Sequence, residues 1–145
     1  MPKETTINPM QAYIAISYHK MASLAGPLQA IKVILHQHSI TPFVFAEVYQ
    51  YHPDQEKEMM EQAFSCIDKS DFLIAETSDK AIGIGIEVGY AKAKGKPIIY
   101  LRQQAAEHST TVSGTSNFPI IYNDEHDLKH QLKNLLEKIK PLANP

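Results

Sequence analysis

The chain has 145 residues, 43% hydrophobic and 21% charged, which is the usage of one globular domain and excludes a disordered chain. Its 14 basic and 16 acidic residues leave a net charge of −2, so nucleic-acid binding through a global basic field is not expected. A single cysteine, Cys66, excludes an internal disulfide and a cysteine-based zinc site.

Residues 1–10 are polar and read as a loose lead without the apolar run of a signal peptide. Residues 11–141 read as a single domain. No stretch approaches the roughly 18 apolar residues of a membrane span, and a cytoplasmic protein is expected. AYIAIS (12–17) is a short apolar run of strand type. Leu24, Leu28, Ile31 and Leu35 follow at helical spacing, with a helix that starts at Pro27 or is kinked there. PFVFAEV (42–48) predicts a second strand and YQYHP (49–53) a connection. A helix is predicted over 54–70, with Met59, Met60, Ala63, Phe64 and Ile67 inward. DFLIAE (71–76) is a third strand, TSDKAIG (77–83) a polar loop, and GIEVGYAKAKG (85–95) a helix stopped by Gly95. PIIYL (97–101) and FPIIYN (118–123) are further strands, separated by a long polar loop over 102–117. Leu128, Leu132, Leu135, Leu136 and Ile139 mark a last amphipathic helix.

Strands alternating with helices predict a three-layer α/β/α domain around a five-stranded parallel sheet. In such sheets ligands sit beyond the carboxyl ends of the strands, near a switch in strand order. That rule selects 17–22, 48–54, 77–87 and 102–117. Seven histidines form no HExxH pattern, and neither a metal nor a cofactor is expected.

Four of the six glycines, Gly83, Gly85, Gly89 and Gly95, fall within 83–95. Gly83 and Gly85 would let backbone approach a ligand where a helix opens. Glu87 then lies in or near the first turn, where the helix dipole favours its ionised form. A carboxylate at a strand-to-helix mouth is a candidate nucleophile or ribose clamp, or else a solvated first-turn acid. Ser17, Tyr18, His19 and Lys20 end the first strand and could hold a phosphate; alternatively Ser17 caps the helix and its neighbours face solvent. Arg102 could pair with a phosphate or form an interface salt bridge, and Tyr13 reads as core.

The stretch SDFLIAETSDKAIGIGIEVGYAKAKGKPIIYL (70–101) resembles the nucleoside 2-deoxyribosyltransferase family, in particular its deoxynucleoside 5′-monophosphate N-glycosidase branch. Asp71, Gly83, Gly85, Glu87, Gly89, Lys96, Pro97 and Ile98 stand in the places of that signature. The resemblance implies a flavodoxin-like strand order, 2-1-3-4-5, and chemistry on an N-glycosidic bond. It assigns Glu87 as the nucleophile and Tyr13 as the residue that orients it. It gives the sugar's 5′ end to Ser17, to His19 and Lys20 in place of a first-loop arginine, and to Ser116 and Asn117 from a neighbouring subunit of a homodimer or larger homo-oligomer. A leaving-group acid of the family falls on Ala63, and a glycine after the first strand falls on Ile16. The family's polar residue before the glycines falls on Ala81, with Ser78 and Asp79 close by as substrate-binding candidates. These departures also imply a weakened, nucleotide-binding or sensing module. AISYHKMASLAG (15–26) is similar, more loosely, to Toll/interleukin-1 receptor-like domains, which implies NAD glycohydrolase chemistry as another alternative.

Overall fold

The computed structural model describes residues 10–139. The strands are β1 (Met10–Ile16), β2 (Ile40–Val44), β3 (Phe72–Glu76), β4 (Ile98–Gln103) and β5 (Phe118–Tyr122). All pair in parallel, as the alternation of strands and helices predicts, in the order β2-β1-β3-β4-β5 that the family resemblance implies. The helices are α1 (Ala25–Gln37), α2 (Phe45–Val48), α3 (Glu56–Asp68), α4 (Ile82–Ala93), α5 (Thr110–Thr115) and α6 (Glu125–Lys138). Among the described residues, no helix is long and apolar enough to cross a membrane.

Strand periodicity of two divides the core into two layers. Ala12, Ile14 and Ile16 of β1 join Ile74, Leu101 and Tyr122 against Leu28, Ile31 and Leu35 of α1 and Leu128 and Leu132 of α6. Tyr13 and Ala15 face the other way, with Leu73, Ala75 and Tyr100, against Ile67 of α3 and Ile84 and Val88 of α4. Burial on both sides explains why these strands read as unbroken apolar runs. At the end of α4, Gly95 has a φ of +72°, and the Gly95 and Lys96 amides bond back to Lys92 and Ala91, which is the expected glycine stop.

Three boundaries differ from expectation. The apolar block 42–48 splits: β2 ends at Val44 and α2 turns the chain away, so the aromatic pair Phe43 and Phe45 serves two elements. Pro27 is the third residue of α1, where its missing N–H costs nothing because first-turn amides lack helical partners. The span 102–117 is not an open loop. β4 runs on to Gln103, and Arg102 Nη1 donates to the carbonyls of Gln103, Gln104 and Ala106, pinning the following turn. Tyr100 Oη then accepts the Ser109 amide at 3.0 Å, and Ser109 caps α5.

One charged side chain is built into the sheet. Glu76, the last residue of β3, is fully buried. Its carboxyl accepts from Tyr122 Oη at 2.6 Å and from the Ser78 amide at 2.5 Å. Burial pushes its pKa upward, and these bonds oppose the push. Tyr122→Phe deletes one donor to a buried carboxyl and is expected to cost about 1–3 kcal/mol. Urea denaturation at neutral pH reads that loss; a change of a few tenths would show that Tyr122 is not needed there.

Candidate active site

The strand order reverses between β1 and β3, and a cleft of about 830 Å³ opens beyond their carboxyl ends. Its wall includes Ser17, Tyr18 and His19 after β1, Phe45, Ala46 and Tyr49–Tyr51 after β2, Met59, Met60 and Ala63 of α3, and Asp79–Ile84 with Glu87 from the β3–α4 segment.

Glu87 reaches this cleft because α4 turns Ile84, Val88 and Ala91 onto the sheet and leaves Glu87 beside them. Tyr13, alternating onto the same face of β1, donates its hydroxyl to Glu87 Oε2 in a short hydrogen bond. Burial pushes the Glu87 carboxyl up to about 7, with the Tyr13 bond pulling the other way. The Tyr13 hydroxyl is itself raised by burial and by the neighbouring carboxylate. This corrects the expectation of a first-turn acid. α4 opens at Ile82, three residues before the predicted start, so Glu87 sits in the second turn and burial outweighs the helix dipole.

The other candidates separate. Ser17 is buried and donates through Oγ to Asp79 Oδ2 at 2.6 Å; it does not cap α1, which begins only at Ala25. His19 is exposed on the cleft wall, whereas Lys20 is exposed and does not line it. Gly83 lines the cleft, but Gly85 faces a shallower recess between α4 and α5 with Ser109–Val112. Ser78 turns inward and accepts the Gln103 amide at 2.8 Å, tying the β3 end to β4, so it is unavailable to a ligand. Ser116 and Asn117 stand at the opposite, amino-terminal edge of the sheet. There Asn117 Oδ1 accepts the Ile98 amide at 2.9 Å and Ser116 Oγ donates to the Ser113 carbonyl. Neither reaches the cleft of its own chain.

The strand-end rule selects 48–54 as a ligand-side segment, but it does not single out Phe45, predicted as strand, or an aromatic wall formed with Tyr49 and Tyr51. Phe45 packs on Tyr49 and Tyr51 with centroids 5.0 and 6.0 Å apart, making one aromatic wall. Three aromatic side chains in seven residues at a sheet edge were the available signal. Among the described residues, no group of three or more His, Cys, Asp or Glu could hold a metal.

Residues 13–138 match the sequence profile of nucleoside 2-deoxyribosyltransferases. The chain belongs to that family. It is 29% identical over 85 residues to a Thermofilum pendens protein named as a 2′-deoxynucleoside 5′-phosphate N-hydrolase, a match covering 55% of this chain and 59% of that relative's length. A CMP N-glycosidase of Clostridium botulinum shares the fold with a TM-score of 0.63 at 23% identity, covering 86% of this chain and 98% of its own. A 2-deoxyribosyltransferase of Bacillus psychrosaccharolyticus superposes with a TM-score of 0.66 at 15% identity, covering 82% and 90% of the two chains.

Within this deoxyribosyltransferase-family chain, Ala63 is buried on the cleft wall, and the acids of α3 lie elsewhere. Glu56, Glu58 and Glu61 are exposed, and Asp68 accepts from Tyr90 Oη at 2.9 Å. Ala81 also lines the cleft, as the cap of α4 without a side-chain bond.

The raised Glu87 pKa has a consequence for stability. Unfolded, the carboxyl titrates near 4.5; folded, near 7. Between those values the folded chain holds a proton that the unfolded chain releases, so stability falls as pH rises through this window. Glu87→Gln removes the charge and keeps an acceptor for Tyr13. It is expected to melt about 3 °C or more above the unsubstituted protein at pH 8, with the gap closing toward pH 5. Equal melting temperatures at pH 8 would show that the buried charge carries no penalty.

Proposed function

We propose that this protein cleaves the N-glycosidic bond of a (deoxy)nucleoside or its 5′-monophosphate, with Glu87 as the nucleophile. The observation that carries the reading is the Glu87 carboxyl group, held by Tyr13, at the cleft beside an aromatic wall. Family membership supports the same chemistry, as do an N-hydrolase and an N-glycosidase among its relatives.

In this mechanism an ionised Glu87 oxygen attacks the anomeric carbon and the carbon–nitrogen bond breaks. Its electron pair leaves with the base, which takes a proton from solvent. Water then attacks the same carbon of the glycosyl ester and gives one proton back to solvent, releasing the sugar and restoring the carboxylate; a second base in place of water gives transfer. Tyr13 acts through Glu87 as a positioning residue: it fixes one oxygen and leaves the other to the cleft. The aromatic wall offers a face for a planar base. Ser116 and Asn117 enter this reading only from a second copy, in a homo-oligomer. Ile82, 87% exposed at the cleft mouth, supports such a contact. A cytoplasmic location accords with the unpaired, buried thiol of Cys66.

Since the attacking carboxyl must be ionised, base release is expected to rise with pH through about 7. Glu87→Gln should abolish it with the fold intact, because an amide cannot form the glycosyl ester. Chromatography of free base from a panel of deoxynucleosides, deoxynucleotides and NAD reads both. Activity retained in Glu87→Gln removes Glu87 from the reaction.

A second reading, a binding module with weak chemistry, is favoured by the buried Ala63. A base leaving toward Met59, Met60 and Ala63 meets no carboxylic acid from α3. Substrates that leave without protonation, such as NAD or a nitrophenyl deoxyriboside, are therefore expected to react faster than deoxyguanosine. Ala63→Asp should raise turnover of ordinary nucleosides by about tenfold or more, with melting followed in parallel because the site is apolar. A folded Ala63→Asp protein that binds nucleotide and releases no base from any substrate would establish the binding module.

A further inference from the structure

The β3–α4 segment brings a carboxylate onto Ser17, the cleft-wall hydroxyl to which the family resemblance gives the sugar's 5′ end. Ser17 Oγ donates its hydrogen to Asp79 Oδ2 at 2.6 Å. A serine hydroxyl has one proton to give, so Ser17 has none left for a phosphate oxygen while Asp79 stays in place. The segment leading to Asp79 is tied down. Thr77 donates through its amide and its Oγ1 to the Leu101 carbonyl at 2.8 and 2.9 Å, the Ser78 amide is held by Glu76, and Ser78 Oγ accepts from Gln103.

We propose that Asp79 is a specificity-determining residue that selects substrates with a free 5′-hydroxyl over their 5′-monophosphates. The inference rests on the N-glycosidic reading of the cleft and narrows its substrate class. Asp79 and Glu87 are the carboxyl groups on the cleft wall. A phosphate monoester carrying about −1.5 to −2 charges would enter against both. The lysine on that wall, Lys80, is turned to Glu107, with 3.0 Å between Nζ and Oε1. The remaining cationic candidate on the wall among the described residues is His19, which is exposed. Against this, the start of α4 favours an anion. Asp79, two residues before the Ala81 cap, already supplies one from the chain itself. A 5′-hydroxyl meets the opposite situation. It donates a hydrogen, and a carboxylate has about four lone-pair sites of which Ser17 fills one.

The test measures binding separately from turnover. Titration calorimetry on the Glu87→Gln protein compares 2′-deoxyadenosine and 2′-deoxycytidine with their 5′-monophosphates. With Asp79 present, the nucleosides are expected to bind about tenfold or more tightly than the monophosphates. Adding Asp79→Asn, or Asp79→Ser as a second variant, should shrink that ratio by about tenfold or invert it. Tighter binding of the monophosphates by the Asp79 protein, a ratio indifferent to both variants, or no binding of either ligand overturns the proposal. Base release by the protein with Glu87 intact is scored separately. A protein that prefers the nucleosides and releases no base keeps the specificity assignment and loses the nucleophile.

Discussion

Because all five strands run the same way, all five carboxyl ends finish at one edge of the sheet, and each loop there must leave in its own direction. The chain leaves β1 toward β2 on one side and enters β3 on the other. The loops after β1 and β3 therefore diverge, and no backbone fills the space between them. The cleft is that space. Tyr13 and Glu87 meet at its wall for the same reason: β1 is central, so its side chains are buried on both faces, and α4 is the helix that follows β3 across one face.

Two carboxyl groups, Glu76 and Glu87, are drawn into this edge, and their hydrogen bonds differ. Glu76 has a donor for each oxygen, Tyr122 and the Ser78 amide, and is sealed in the sheet. Glu87 has Tyr13 on Oε2, while Oε1 looks toward Gly83, where even an added Cβ would stay 3.9 Å away. Glu76 thus anchors the segment that begins α4, and Glu87 keeps a lone pair clear of the protein. Both are raised by burial. A structural acid and a candidate reactive acid are told apart here by how many donors face them and by exposure, Glu76 being fully buried and Glu87 partly open to the cleft.

Periodicity and glycine placement made most of the fold legible. Short unbroken apolar runs marked all five strands, and Gly95 marked the end of α4 at its positive φ. The strand order came with the family resemblance rather than with periodicity. What could not be read were choices made by tertiary contacts. Phe45 is a good strand residue, yet it starts a helical turn because its ring packs with Tyr49 and Tyr51. The segment 102–117 looks like a polar loop, but Arg102 and Tyr100 hold its backbone with side-chain bonds that no local pattern announces. In the cleft, Glu87, Tyr13 and Ser17 were visible as residue types at strand and helix ends. The inward turn of Ser78 follows from its bond to the Gln103 amide at the end of β4, and the placing of Gly85 away from the cleft follows from the phase of α4, which opens three residues earlier than its glycines suggested.

The two sides of the cleft therefore ask different things of a substrate. On the α3 side, Met59, Met60 and Ala63 join Phe45, Tyr49 and Tyr51, which favour a planar, uncharged group and offer no carboxylic proton to a departing base. On the β1 side, Ser17 and Asp79 form a polar pair with a surplus of acceptors. Between them lies a carboxyl that burial pushes up toward neutrality, so the fraction available to attack rises with pH through that range. On the proposed chemistry the rate would then be governed less by the nucleophile, which Tyr13 already orients, than by how readily the base accepts the bonding pair in an apolar pocket. A base that carries its own positive charge leaves as a neutral molecule, and burial favours that departure instead of opposing it.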